Sequence, residues 1–189
     1  MSLYPTASQT VGPYLRLGLD WLTRGEIAGA GTAGKRVTLV GRVLDGRGRP
    51  VDDALVEIWQ ADANGKYAHP ADTRPLAITP GFRGFGRVPT DASGTFRFAT
   101  VKPGRVPGPD GKLQAPHLAV NVFMRGLLRH LVSRMYFPDE ASNADDPVLN
   151  LVEPARRATL IGRATPRDPS ALEWDVVLQG ADETVFFET

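Results

Sequence analysis

The sequence has no cysteine among its 189 residues. This absence excludes disulfide bonds, thiolate zinc sites and cysteine nucleophiles, and it fits a reducing compartment such as the cytoplasm. The formal net charge is only +1. A chain so nearly neutral has no strong field with which to attract nucleic acid or an anionic membrane, so we expect neither as a partner.

Long apolar runs and common catalytic signatures are also missing. No run approaches the roughly 18 apolar residues that cross a membrane, and residues 1–6 have neither the basic nor the apolar region of a signal peptide. We therefore expect a cytoplasmic protein. There is no Gly-x-Ser-x-Gly elbow, and the glycine-rich segment 81–86 is not followed by a predicted helix, which favours a turn over a nucleotide-binding loop.

Glycine and proline are abundant, with 20 and 16 residues spread along the chain, which favours many short strands joined by turns. We predict an all-β fold, a mostly antiparallel β-sandwich of about eight strands with long functional loops. It forms one domain over 1–189, with an extended N-terminal arm and loop at 1–35 and the sandwich at 36–189. Residues 15–22 fit either a short helix or an extended run. Alternating apolar residues predict strands at 37–44, 54–60, 87–90, 95–101, 118–124, 130–137 and 171–178. We expect the first four of these to form two hairpins, and the apolar tail 184–189 to pack on its own sheet or on a partner.

His117 and Ala119 lie two apart on a predicted strand, so their side chains point to the same face. A metal site on that face would need a second ligand at position 119, and the chain supplies a methyl group. A lone histidine is more often structural than a ligand. Arg125 follows the same strand, where it is either a solvated turn residue or a bidentate partner for a carboxylate.

Several segments together resemble one family. Residues 56–67, the run 91–104 and the triplet 115–117, together with 9–14 and 183–187, are similar to the intradiol ring-cleaving dioxygenases over nearly the whole chain. The resemblance implies a β-sandwich whose loops carry the site at one end. Catalytic members bind Fe(III) through two tyrosines and two histidines, and cleave a catechol ring between its hydroxylated carbons with O2.

Carried over by position, the four iron ligands fall at Arg74, Val106, His117 and Ala119, so three of the four are lost. Tyr67 matches a tyrosine of the motif that is not a ligand. The resemblance therefore implies that this chain holds no metal and no catalytic residue, and that Fe(III) belongs to a homologous, iron-binding beta-type partner.

The family also contains enzymes built from two homologous chains, and this sequence resembles their alpha-type chain. That likeness implies a non-catalytic subunit, inactive alone, that completes the substrate pocket within a higher-order hetero-oligomer. The complex would convert protocatechuate to 3-carboxy-cis,cis-muconate in the breakdown of aromatic compounds. The implied pocket residues are Thr10, Gly12, Pro13 and Tyr14, and Arg125, which would meet the substrate carboxylate. The loss of the ligands is equally compatible with an alternative function. The chain would then be a free-standing, metal-free β-sandwich that serves as a binding or structural module and forms homo-oligomers.

Overall fold

The computed structural model describes residues 7–108, 111–166 and 168–188, apart from the side chains at positions 13, 16 and 169. Within this part of the chain, eight strands have three or more residues and three have two, in agreement with the predicted number. One α-helix, α1, spans Gly12–Gly18, and short 3-10 helices span Asp20–Leu22, Ala141–Asp145, Leu149–Leu151 and Pro154–Leu160. The strands are β1 Arg36–Leu44, β2 Leu55–Trp59, β3 Phe85–Pro89, β4 Thr95–Val101, β5 Val106–Pro107, β6 Leu113–Gln114, β7 His117–Phe123, β8 Leu131–Tyr136, β9 Arg163–Thr165, β10 Asp168–Glu173 and β11 Val176–Val177.

The strands form two main sheets and a small ribbon. In the first sheet, β4 pairs with one edge of β1, β10 and β11 share the other edge, and β9 extends β10. The second sheet has the order β3-β2-β7-β8 and is antiparallel throughout. The ribbon joins β5 to β6. The predicted mostly antiparallel sandwich is confirmed, with β10 and β11 running parallel to β1 as the exceptions.

Two predicted hairpins are wrong. The strands predicted at 37–44 and 54–60 became β1 and β2, which lie in different sheets, and the same is true of β3 and β4. The turns between them cross from one sheet to the other, as Greek-key sandwiches require. The hairpin of β7 and β8 does form.

The core lies between the sheets. Alternate residues of β1 point inward, and they meet the inward residues of the second sheet, such as Val56 and Val120. Trp174 interrupts the strand predicted at 171–178: its side chain is buried, and its indole N–H donates to the Thr159 carbonyl at 2.9 Å. The predicted single strand is therefore split into β10 and β11.

Both ends of the described chain contact the sandwich through hydrogen bonds. Residues 7–11 have no regular structure, and α1 begins at Gly12 with a φ of +63°. The extended arm is therefore shorter than predicted. Residues 15–22, for which the sequence left a helix or an extended run open, are mainly helical. At the other end, the Phe187 N–H donates to the Val132 carbonyl at 2.8 Å, and the tail thus packs on its own sheet. Among the described residues there is no helix long and apolar enough to span a membrane.

Candidate functional site

One candidate region is a cavity over the outer face of the second sheet, which we call the loop pocket. It has a volume of about 410 Å³ and is lined by Trp59, Tyr67, His69, Asp72, Arg74 and Pro107, with two small residues of the same loop. Trp59 on β2 forms the floor. The Tyr67 ring stacks on it, with ring centroids 6.0 Å apart and planes 9° from parallel. The proline-rich loop at 66–82 therefore forms a wall of this pocket.

Beyond the cavity, Trp59 continues into a row of directly paired residues across the sheet. Trp59 pairs with Ala119 of β7, and Ala119 pairs with Arg134 of β8. Paired residues in antiparallel strands point to the same face, so the Ala119 methyl lies between the Trp59 ring and the Arg134 side chain. The small residue at 119 leaves room between an aromatic ring and a cation.

Two carboxylates hold the loop in shape. Asp62 is fully buried and accepts hydrogen bonds from the backbone of Asn64, Lys66 and Thr79 and from the Thr79 hydroxyl, at 2.7–2.9 Å. Asp72 accepts from the Tyr67 N–H at 2.9 Å. Because these acceptors satisfy backbone donors of the loop itself, the pocket wall is preorganised.

Asp72 also fixes Arg74. The Arg74 guanidinium donates to both carboxylate oxygens, at 2.9 and 2.5 Å, and to the Gly65 carbonyl at 2.6 Å. The ammonium of Lys66 donates to the same carboxylate at 3.2 Å. The hydrogen bond from Arg74 is the main cause that holds the pKa of Asp72 far below its usual range. One carboxylate thus serves two cations.

The positions that match iron ligands do not form a metal site. Arg74 is tied to Asp72, Val106 is a buried apolar residue of β5, and Ala119 offers only a methyl group. His117 alone retains a ligand atom. Fe(III) needs several hard oxygen donors, so this set does not fit the ion. Across the described residues there is also no group of three or more His, Cys, Asp or Glu arranged to hold a metal.

His117 is a buried, neutral imidazole. One ring nitrogen, Nδ1, is 2.7 Å from the Ala115 carbonyl, which requires a proton on Nδ1. Burial and, to a smaller extent, the positive charge of Arg134 lower the pKa of His117 to about 4. The structure therefore supports a structural role for this histidine.

The second candidate region is where the N-terminal arm meets the turn after β7, and we call it the arm site. The Thr10 hydroxyl donates to the Met124 carbonyl at 3.4 Å and accepts from the Gly126 N–H at 3.0 Å. These two residues flank Arg125. The structure therefore brings together Thr10 and the Arg125 turn, which lie more than a hundred residues apart in sequence.

Arg125 itself points outward and is oriented by a residue that the sequence analysis missed. Its Nε–H donates to the Asp53 carboxylate, and this hydrogen bond raises the pKa of Arg125. The Arg125 side chain is 62% exposed. The register of β2 against β7 places Leu55 opposite Phe123 and so carries Asp53 to Arg125. No local motif signals this pairing, because it depends on the register.

The other predicted pocket residues lie at the start of α1. Gly12 takes a left-handed φ of +63° and would meet nothing within 4 Å if it carried a Cβ. Tyr14 projects into solvent and is 81% exposed. Pro13 lies in the same helical turn, and its side chain is outside the described part.

A broad cleft of about 1180 Å³ adjoins the arm site. It is bounded by the arm, by the turn between β7 and β8, and by the C-terminal tail. Leu128, which lines this cleft, is 65% exposed, and Leu17 and Trp21, in and just after α1, are 69% and 78% exposed. Clustered exposed apolar side chains are typical of protein interaction surfaces.

Comparisons with known proteins agree with this geometry. A family model described as Dioxygenase matches residues 22–180. The chain is 45% identical to the protocatechuate 3,4-dioxygenase alpha chain of Burkholderia cepacia, over 99% of this chain and 98% of that one. It is 39% identical to the beta chain from the same organism, over 86% of this chain and 72% of that one. The dioxygenase domain of a carbohydrate-binding fusion protein from Streptomyces sp. SirexAA-E superposes with a TM-score of 0.63 at 27% identity, over 96% of this chain and 100% of that one. The chain therefore belongs to the intradiol dioxygenase family, whose members generally use Fe(III).

Proposed function

We propose that this chain is the alpha-type subunit of a protocatechuate 3,4-dioxygenase. It packs against a homologous beta-type chain that binds Fe(III), and it completes the substrate pocket. The complex inserts both atoms of O2 into protocatechuate and releases 3-carboxy-cis,cis-muconate. The observation that carries the proposal is the near full-length similarity to alpha chains in a chain whose matching ligand positions offer one imidazole and no phenolate.

The chemistry that the iron supplies is chelation and activation of the catechol, and it takes place in the partner chain. This chain binds and orients the substrate. Arg125 is the cation for the substrate carboxylate. Its Nε edge is occupied by Asp53, which leaves the outer edge of the guanidinium for a bidentate contact with a second carboxylate. Positioning of this kind lowers the barrier by removing the entropy of orientation.

The arm closes the pocket around that cation. Thr10 fixes the arm to the backbone on both sides of Arg125, and the residues that follow it, Gly12, Pro13 and Tyr14, supply the rest of the proposed pocket wall. The Gly12–Pro13 peptide gives a flat and rigid wall for a planar ring, and Tyr14 adds a phenol that excludes water. The exposed apolar side chains beside the arm, such as Trp21 and Leu128, lie on the face that the beta-type chain covers.

Co-expression with a homologous beta-type chain that carries two tyrosines and a His-x-His pair tests the proposal. Iron content, mass of the assembly and protocatechuate-dependent O2 uptake are measured for each chain alone and for the mixture. We expect this chain alone to be iron-free and inactive, and the mixture to form an active hetero-oligomer. An iron-loaded, active single chain would overturn the proposal, as would a homo-oligomer that leaves the beta-type chain unbound.

A further inference from the structure

We infer that a cleft between residues 24–29 and residues 81–83, which we call the arginine cleft, binds a phosphate group. The cleft has a volume of about 550 Å³ and is lined by Arg24, Glu26, Gly29, Gly81, Phe82 and Arg83. None of these residues belongs to the arm site or to the loop pocket. The inference therefore goes beyond the proposed function and does not depend on it.

Backbone hydrogen bonds fix the two arginines of this cleft. The Arg24 N–H donates to the Arg87 carbonyl of β3 at 2.7 Å, and the Arg87 N–H donates back to the Arg24 carbonyl at 3.0 Å. The Arg83 N–H donates to the Ile27 carbonyl at 3.0 Å. Because the backbone on both sides of the cleft is held in this way, only the side chains have to order when a ligand binds, which lowers the entropy cost of binding.

Two glycines leave the space between the arginines unfilled. Gly29 and Gly81 lie next to each other, with the Gly29 N–H donating to the Gly81 carbonyl at 3.3 Å. Gly81 has a left-handed φ of +77°, and a Cβ there would lie 3.1 Å from the Thr32 hydroxyl oxygen. A larger residue at 81 would therefore be strained. The bare backbone of this pair keeps the cleft open.

The side chains of the cleft carry a surplus of positive charge. Arg24 and Arg83 are exposed, and neither guanidinium forms an ion pair or a hydrogen bond with another described residue. The lining carboxylate is that of Glu26, which lies 3.8 Å from the Arg36 guanidinium. Arg36 is held beside the cleft by two backbone carbonyls of the segment 24–29, each at 2.8 Å. Three arginines therefore meet one carboxylate.

The charged groups on the neighbouring elements do not cancel this surplus. Asp20, in the 3-10 helix before Arg24, adds one negative charge and forms no ion pair with Arg24 in the described part of the chain. The charged side chains of the neighbouring strands and of the long loop balance one another: the cations are Lys66, Arg74, Arg87 and Arg97, and the carboxylates are Glu57, Asp62, Asp72 and Asp168. A net positive charge remains, which attracts an anion.

A phosphate group fits this arrangement of donors. A guanidinium offers pairs of parallel N–H donors that match the oxygens of a phosphate. The phosphate group of an ester has three acceptor oxygens and a charge of about −1.5 to −2 at pH 7, so it can bind both guanidiniums at once. The cleft volume of about 550 Å³ lies within the range of small-molecule sites, about 300–1,000 Å³. It therefore admits either free phosphate or a small phosphate ester.

The test is isothermal titration calorimetry of the full chain at constant ionic strength, with inorganic phosphate and glycerol 3-phosphate as the probes. We expect one saturable site per chain. Arg24→Gln and Arg83→Gln should each weaken binding about tenfold or more. The matched control Arg47→Gln removes the same charge from an exposed arginine in the turn after β1 and should leave the affinity within about twofold. Tighter binding of glycerol 3-phosphate would assign the cleft to a phosphate ester, and equal or weaker binding would assign it to free phosphate.

Glu26→Gln gives the opposite effect and guards against misfolding of the arginine variants. It removes the carboxylate that lines the cleft and should tighten binding about threefold or more, a gain that misfolding does not produce. The inference is overturned if neither probe binds saturably, if Arg24→Gln and Arg83→Gln bind as tightly as the wild type, or if Glu26→Gln weakens binding. Because the titration uses the chain alone, any of these results leaves the proposed subunit role untouched.

Discussion

The acid sensitivity of folding should depend on His117. The imidazole is buried, and its pKa falls from the ordinary 6.5 to about 4 in the folded chain. Between these two values the unfolded chain binds a proton that the folded chain does not, so the free energy of unfolding falls as the pH falls. A tenfold difference in proton affinity is worth about 1.4 kcal/mol, so this group lowers the free energy of unfolding by about 2 kcal/mol between pH 7.5 and pH 5, and by about 3 kcal/mol by pH 4.

His117→Asn isolates this effect. The asparagine amide replaces the Nδ1–H donor that faces the Ala115 carbonyl, but it has no proton to gain. Urea unfolding of the wild type and of the variant at pH 7.5, 6 and 5 should show the variant losing about 2 kcal/mol less over this range. His69→Asn, at an exposed loop histidine, is the matched control and should follow the wild type. If His117→Asn loses stability as steeply as the wild type, the imidazole is not held neutral by burial and by Arg134, and the assigned structural role is wrong.

Other predictions concern the arm site and the buried carboxylates. In the complex, Arg125→Ala should raise KM for protocatechuate by about ten- to a hundredfold with little change in kcat. Turnover of catechol, which has no carboxylate, should not change. Equal effects on both substrates would show that Arg125 is not part of the pocket. Asp53→Asn should raise the same KM by less, because the cation remains but loses its orienting partner, and an unchanged KM would show that Asp53 does not position it. Thr10→Val should raise KM while it costs less than about 1 kcal/mol in urea unfolding; a large loss of stability would instead make the arm a structural element. Asp146→Asn should lower the free energy of unfolding by about 2–3 kcal/mol, because the new amide group would face the Ala115 N–H that now donates to the carboxylate at 2.7 Å. A free energy of unfolding near that of the wild type would contradict a structural role for the Asp146 carboxylate.

Strand positions are largely predictable from this sequence, because alternation of apolar residues is a local property. The strand predicted at 95–101 is β4 residue for residue, and the others lie within about two residues of the observed bounds where the strand is continuous. Pairing is not local. The turn at 91–94 has the Asp and Gly of a hairpin, but the chain uses it to pass from one sheet to the other. The interruption at Trp174 depends on a hydrogen bond to Thr159, which no periodicity reveals.

The candidate sites also combine features that the local sequence predicts with features that depend on strand pairing. The loss of a ligand at position 119 is visible in the sequence, since His117 and Ala119 must share a face of one strand. The residues that surround Ala119 are not visible, because Arg134 reaches it through the pairing of β7 with β8 and Trp59 through the pairing of β2 with β7. Asp53 was missed for the same reason. A residue whose role is set by strand register carries no signal in its own neighbourhood.

The charge around Ala119 bears on what the missing ligands mean for this chain. If only ligands had been lost, replacing them would suffice to recover a metal site. Here Arg134 lies beside the vacant ligand position in the same cross-strand row, and Arg74 occupies another of the four positions. A single Ala119→His substitution would add a second imidazole, but it would place that imidazole next to the Arg134 guanidinium. Burial and positive charge already keep His117 neutral there. Fe(III) at this place would still meet two cations and no phenolate. The chain therefore keeps the sandwich of the family, while the cations at positions 74 and 134 oppose a metal ion at the matching place.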